Sequence, residues 1–243
     1  NFLRKFFWKK ISSKLEYVTC PTKALKKDLI KINIFSEKKL IYLPDAIISI
    51  NHFLETSNQE IDKKILLENK KIILSVGRLT KQKNFEYLID EFLKFSIECD
   101  DFILVILGEG ELKNSLQKKI ESHNLQNKVF LLGNKNNVYS YMKKSEIFVL
   151  SSLWEEVGFV IVEAALSNLF VISSNCPNGP SEFLNNGKYG ILFENNIKNQ
   201  LYLSLQKYLN LNKSQKREAK LFLKKNSINF TKFRHYKKLL EII

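Results

Sequence analysis

From Lys71 onward the chain alternates apolar runs of strand length with amphipathic stretches of helical period, and few folds accept that rhythm. Lys71–Val76 (KIILSV) reads as a buried strand, and Phe85–Ile97 as a helix with Leu88, Ile89, Phe92 and Leu93 on one face. Phe102–Leu107 (FILVIL) is the next strand and Glu111–Ser122 the next helix. Val129–Leu132, Ile147–Leu150 and Phe170–Ser173 continue the strands, with helices expected at Val138–Lys143 and Val160–Ser167. Strands that lack a polar face are covered on both sides, and strands separated by helices pair in parallel through crossovers. The expectation is an α/β domain over residues 70–195, a Rossmann-like, doubly wound parallel sheet. Such sheets bind ligands beyond the carboxyl ends of their strands.

Other segments flank this core. Residues 1–45 hold an expected helix at Lys23–Lys31 and a strand at Lys39–Leu43, ending at Pro44. Residues 46–69 are polar and mixed, and read as a connector. Residues 196–243 read as helices through Leu201–Leu209, Lys216–Leu223 and Thr231–Ile243. No internal repeat interrupts the pattern.

A chain of 243 residues, 44% of them hydrophobic, suffices for one well-packed domain with extra elements and is short for two. It opens on Asn1 rather than methionine and is read as a fragment, a processed chain or a truncated piece. No apolar run reaches the roughly 18 residues of a membrane-spanning helix. Asn1–Ile11 (NFLRKFFWKKI) interleaves charge with apolar residues, unlike a signal peptide. Cys20, Cys99 and Cys176 have no pairing or metal-type spacing, which suits a reducing cytoplasm.

The net charge of +14 raises nucleic acid and anionic membrane as partners. Nearly all of it is lysine, with arginine only at Arg4, Arg78, Arg217 and Arg234. Pairs such as Lys9-Lys10, Lys26-Lys27 and Lys224-Lys225 suit solvated helix faces, and AT-rich coding alone produces such a bias. Attraction to phosphate-rich lipid headgroups is the alternative. A nucleic-acid face needs basic and aromatic residues gathered together, whereas the tight cluster is confined to Arg4–Lys10, so no nucleic-acid partner is expected. Phe2, Leu3, Phe6, Phe7, Trp8 and Ile11, with Arg4, Lys5, Lys9 and Lys10, fit an interfacial helix or one packed on a neighbouring domain.

Three segments follow strands, where the ligand edge lies. In the first, Gly77-Arg78-Leu79-Thr80-Lys81-Gln82-Lys83-Asn84, a glycine allows a tight turn and Arg78 and Lys83 add two cations. The next helix N-terminus offers unpaired N–H groups, so the segment suits a diphosphate. Taken alone, it reads equally as a basic loop without a ligand. In the second, Gly158-Phe159 opens a helix beside Glu155 and Glu156, and Glu163 stands within IVEAAL. A carboxylate accepts two hydroxyl hydrogen bonds, which suits sugar and ribose, and a charge among apolar residues needs partners. The bland reading gives Glu155 and Glu156 only a helix-start role and puts Glu163 on the surface. The third, Ser174-Asn175-Cys176-Pro177-Asn178-Gly179-Pro180-Ser181-Glu182, is a loop stiffened by two prolines. Cys176 has no base within sequence reach and is not read as a nucleophile. Gly108-Glu109-Gly110 lacks the third glycine of a dinucleotide fingerprint. Asp100-Asp101 reads as a turn cap rather than a metal site.

Taken together, these segments resemble the family-four retaining glycosyltransferases, which have the two-domain GT-B fold. The likeness runs over Tyr17–Gly190 and more loosely to the end. It rests on the Arg78/Lys83 spacing in GRLTKQKN and on two glutamates, Glu155 and Glu163, separated by seven residues. Asn84 stands where the family often has glycine, and EEVGF carries one extra residue, with the spacing selecting Glu155 over Glu156. The resemblance implies that residues 70–195 are the donor-binding half and residues 1–45 a remnant of the acceptor half. By it, Arg78 and Lys83 bind the donor diphosphate and support its departure, Glu155 holds donor-sugar hydroxyls, and Glu163 the ribose. Gly158, Phe159 and Val160 line the phosphates, with Gly77, Cys176 and Pro177 completing the donor site. No metal or other cofactor is implied.

The proline loop is similar to that of transferases using UDP-linked hexose or N-acetylhexosamine to build bacterial surface glycans on lipid carriers. The implied reaction is front-face transfer to a glycan or lipid-linked acceptor with retention, at the inner face of the cell membrane. A full acceptor half needs on the order of 150 residues. This chain is therefore expected to bind donor, and its own transfer activity is left open.

Overall fold

The computed structural model describes residues 2–67, 69–176 and 178–242. The chain begins with α1 (Phe2–Ser12), β1 (Val18–Cys20), α2 (Lys23–Ile32) and β2 (Leu40–Tyr42). Then come α3 (Ile50–Thr56), α4 (Lys63–Leu67), β3 (Lys71–Val76), α5 (Phe85–Glu98), β4 (Phe102–Leu107) and α6 (Lys113–Ser122). The body continues through β5 (Val129–Leu131), α7 (Val138–Lys144), β6 (Ile147–Leu150), α8 (Phe159–Leu166), β7 (Phe170–Ser174), α9 (Gly179–Phe183) and β8 (Ile191–Phe193). Three helices close the chain: α10 (Gln200–Asn210), α11 (Lys213–Ser227) and α12 (Lys232–Leu240).

The main sheet has six parallel strands in the order β5-β4-β3-β6-β7-β8. Its strands alternate between two separate cores, as a period of two requires. Ile72, Leu74, Ile103, Val105, Phe148, Leu150 and Val171 face a core covered by α7, α8 and Leu223 of α11. Ile73, Leu104, Ile106, Ile147, Val149, Phe170 and Ile172 face the other, beneath α5, α6 and α10. This two-sided burial is why the strands carry no polar face. β8 was not expected from the sequence. Its three residues, Ile191–Phe193, are too few to show a period, and pairing with β7 makes them a strand.

Residues 46–69 do more than link. Ile48, Ile61 and Ile65 belong to the first core, while Ser140 donates to the Thr56 carbonyl at 2.6 Å and Tyr141 to Asp62 at 2.9 Å. On the far side, Glu91 is 1% exposed on α5 and accepts the N–H groups of Asn199 and Tyr202 at the start of α10. That buried charge is tolerable because it caps a helix start and pairs with Lys94.

The first 45 residues form a small parallel β1–β2 pair around Cys20, Phe35 and Leu40. Trp8 of α1 meets Phe35 edge-on. The piece and the segment that follows it are fastened to the rest of the chain at three points. Glu182 accepts the N–H groups of Lys23 and Ala24 at 3.1 and 3.0 Å, His235 contacts the Pro44 carbonyl at 2.7 Å, and Ile48 bridges to Thr231.

Candidate active site

The three loops singled out in the sequence meet at the carboxyl edge of the main sheet. After β3, residues Lys81–Lys83 make a single 3-10 turn, and Asn84 starts α5 in the left-handed region. Ser151 and Ser152 follow β6 and are buried. Ser151 Oγ donates to the Lys83 carbonyl at 2.7 Å, Leu153 N–H to the Gln82 carbonyl at 2.8 Å, and Gln82 Nε2 to the Trp154 carbonyl at 2.9 Å. These bonds set the first loop against the second. The third loop is tied in by Ser174 Oγ on the Ser152 carbonyl at 2.7 Å and Gly179 N–H on the Glu156 carbonyl at 2.9 Å.

Within this frame, Lys83 Nζ lies 2.5 Å from Glu155 Oε1, and Ser152 Oγ donates to the same oxygen at 2.6 Å. The two charged side chains are only 14% and 10% exposed, so the pair is held in place rather than solvated. Glu156 is exposed, and its side chain faces the same opening. Sequence spacing selects Glu155, and it is Glu155 that the structure pairs with Lys83.

Above the pair opens a cleft of about 940 Å³. Gly77, Arg78 and Lys83 form one wall, Glu155, Glu156 and Gly158 to Val160 the other, and Glu163 lies deeper along α8. Gly158 enters α8 at φ 71, a left-handed turn that a side chain would strain. The N–H groups of Phe159 and Val160, in the first turn of α8 on the cleft wall, have no acceptor among the described residues. Arg78 is exposed and enters none of the ion pairs among the described residues.

Glu163 accepts a long hydrogen bond from Tyr139 Oη at 3.4 Å, and burial pushes its carboxyl above the usual range. Tyr139 stacks edge-on against Phe53 and His52, and burial, then the Glu163 charge, holds its hydroxyl protonated. A carboxylate so placed gains from hydroxyl donors that water does not supply. Chemically, the cleft offers an anion two cations and a helix start, and offers polyol hydroxyls three carboxylates.

Of the remaining residues expected here, Cys176 is 3% exposed and is not on the cleft wall. Burial raises its thiol, which suits a packed side chain and not nucleophilic work. Pro177 lies outside the described residues. Among the described residues no group of three or more His, Cys, Asp or Glu is placed to hold a metal ion.

Sequence reasoning passed over Trp154, Gln82, Ala46 and Ile47, all on the cleft wall. It also passed over the role of Gly108. Its φ is +143 and a Cβ there would sit 1.9 Å from the Gly77 carbonyl oxygen. Gly108 therefore lets the loop after β4 cross directly over the loop after β3. A lone GxG after a strand was the available signal, and it marks packing of the site here.

Solved structures share this fold, a parallel sheet with helices on both faces. A glycosyltransferase from Rickettsia africae superposes with a TM-score of 0.82 at 22% identity, covering 98% of this chain and 65% of that one. Anabaena HepE, solved with UDP and glucose, gives 0.78 at 16% identity, over 98% of this chain and 66% of that one. Residues 57–241 match the family described as glycosyl transferases group 1, and the chain belongs to that family. A Campylobacter jejuni relative is 34% identical over 223 residues, 90% of this chain and 59% of its own length. It is the N-acetylgalactosamine-N,N'-diacetylbacillosaminyl-diphospho-undecaprenol 4-alpha-N-acetylgalactosaminyltransferase. The chain spans about half the length of the curated relatives it matches.

Proposed function

We propose that the cleft binds a nucleotide diphosphate sugar, with UDP as the nucleotide, and that the chain is the donor half of a retaining hexosyl- or N-acetylhexosaminyltransferase. One observation carries this reading. A cation pair, a helix start with free N–H groups, and carboxylates at two depths converge on one cleft at the carboxyl edge of the sheet. Arg78, Lys83 and the N–H groups of Phe159 and Val160 receive the diphosphate and stabilise it as it departs. With those donors in place, the reading asks for no metal. Glu155 is positioned by Lys83 and Ser152 to accept donor-sugar hydroxyls, and Glu163 the ribose. The reading is supported by the UDP in the Anabaena structure and by the lipid-linked acceptor named for the Campylobacter relative. The acceptor proposed here is likewise a glycan or lipid-linked glycan, at the cytoplasmic face of a membrane.

Thermal unfolding with UDP, GDP and ADP, for wild type, Lys83→Ala and Glu163→Ala, tests the donor site. A ligand at a hundred times its dissociation constant stabilises by about 2.7 kcal/mol, a Tm gain of roughly 5–10 °C for this size. The expected result is a gain with UDP that both variants lose. Absence of any nucleotide shift in a folded chain would refute the reading.

Contact with an anionic membrane belongs to the same proposal. On α1, Leu3, Phe6, Phe7, Trp8 and Ile11 are exposed apolar residues beside exposed Lys5, Lys9 and Lys10. No helix among the described residues is long and apolar enough to cross a membrane. Flotation with anionic vesicles should be weakened in Phe6→Asn/Phe7→Asn, and equal flotation would remove the membrane from the proposal.

A further inference from the structure

At the opposite edge of the main sheet, a cavity of about 380 Å³ opens between one face of α11 and the start of β6. Four of its lining residues are cations: Lys213, Lys216, Arg217 and Lys220. Their spacing along α11 is i, i+3, i+4 and i+7, which puts all four on one helical face. Glu146, immediately before β6, marks the amino edge of the sheet, whereas the cleft described above lies beyond the carboxyl edge. A strand of this length separates the two by about 13 Å or more.

The charges in this cavity are unbalanced. Its one carboxylate, Glu146, already accepts the Tyr208 hydroxyl. None of the four cations forms an ion pair among the described residues, whereas Lys70 and Lys128 share Asp100 nearby on the same sheet edge. Lys216 stands 4.1 Å from the centroid of the Tyr208 ring, which steers its ammonium over the aromatic face. Burial pulls that ammonium below its ordinary pKa, and although Glu146 opposes the shift, Lys71 and Lys220 add to it. Like charges gathered around a concavity repel one another, and a bound anion relieves that repulsion.

We propose that this cavity is a second anion site, independent of the donor cleft, which takes a phosphate group bearing two negative charges, as a phosphomonoester or diphosphate. The Arg217 guanidinium supplies a planar fork for two phosphate oxygens, and the lysines supply point charges around it. A volume of this size holds the phosphate and part of the molecule it is attached to. Two sources present such a group: a soluble phosphorylated metabolite or a lipid headgroup.

The test compares three double variants of the full chain with wild type. Lys216→Gln/Arg217→Gln removes two of the cavity's four cations. Lys224→Gln/Lys225→Gln removes the same charge from exposed positions further along α11. Arg78→Ala/Lys83→Ala disables the donor cleft. Pyrophosphate titrations by calorimetry form one arm, and flotation with phosphatidylcholine vesicles containing phosphatidate forms the other. In the first arm, a pyrophosphate site should persist in the cleft variant and in the Lys224/Lys225 variant. It should weaken about a hundredfold in the cavity variant, where two charge-assisted hydrogen bonds are lost. The cavity variant should also melt at or above the wild-type temperature, since two of its four like charges are gone. Dependence of flotation alone on Lys216 and Arg217 assigns the phosphate to a lipid headgroup. The proposal is overturned if the cavity and Lys224/Lys225 variants weaken binding alike in both arms, or if neither changes it. Because the cleft variant is scored separately, failure here leaves the donor reading standing, and the reverse holds too.

Discussion

The body from β3 to α11 and the piece before residue 45 are both parallel β-structures, yet they are held together in opposite ways. The body closes its own cores, with every strand residue from Phe102 to Leu107 at 1% exposure or less. The small piece buries only Cys20, Phe35 and Leu40 as a cluster and leaves Leu3, Phe6 and Phe7 more than half exposed. Its order is borrowed from Glu182 of the body and from His235 of α12. A few polar fastenings at helix ends and carbonyls thus do for one region what hydrophobic area does for the other. The segment after β7 that carries Glu182 in α9 leaves the same edge of the sheet as the cleft, so the fastening and the site share a scaffold.

The largest effect should come from the body. Phe148→Ala removes a fully buried ring between β3 and β7, and a loss of about 3–5 kcal/mol is expected in denaturant unfolding. The matching change in the small piece, Leu40→Ala, should speed hydrogen exchange in β1 and β2 while leaving the main transition in place. If Leu40→Ala lowered the main midpoint as much as Phe148→Ala, the two regions would be one cooperative unit and the contrast would fail. Next in size is Lys83→Met, which strands Glu155 in a largely closed position and should cost about 2–4 kcal/mol. Adding Glu155→Gln should restore most of that loss, as a double-mutant cycle would show.

Glu182→Ala sharpens the contrast further. It uncovers the start of α2 and should loosen the small piece by about 1–2 kcal/mol, seen as exchange of the Lys23 and Ala24 amides. The main transition should hardly move.

The smallest effect is the pH dependence of Glu163. Burial favours its protonated form, so the folded carboxyl titrates above the unfolded one. The native state then binds more protons than the unfolded state between those two values, and stability falls as pH rises through that window. Glu163→Gln should therefore be near neutral at a pH below the unfolded value and slightly stabilising at neutral pH, with UDP binding lost. A variant less stable than wild type at neutral pH would mean that the Tyr139 bond outweighs burial.

Much of this was legible in the sequence because local pattern and tertiary burial agree. KIILSV and FILVIL have no polar face, and both are covered on both sides. Arg78, Lys83, Glu155 and Glu163 fall just after strands or in the helix that follows, and parallel topology brings such positions to one edge. What was not legible depends on partners distant in the chain. Three residues, Ile191–Phe193, become a strand only beside β7. Gly108 has its role only because the Gly77 carbonyl passes 1.9 Å from where a Cβ would stand. Cys176 looks like an open loop residue among prolines, and only the tertiary structure buries it.

The sequence by itself determined the alternation of strands and helices, the parallel sheet that follows from it, and the loops on which a ligand edge must be built. These are set by periodicities of two and 3.6, which act within a few residues. The tertiary structure alone decided that Lys83 is locked to Glu155, that Tyr139 reaches Glu163, and that Glu182 caps a helix 158 residues away. It alone also gathered the cations of α11 around the start of β6. Those contacts join elements far apart in the chain, and charge pairing and hydrogen bonding leave no period in a sequence by which to foresee them.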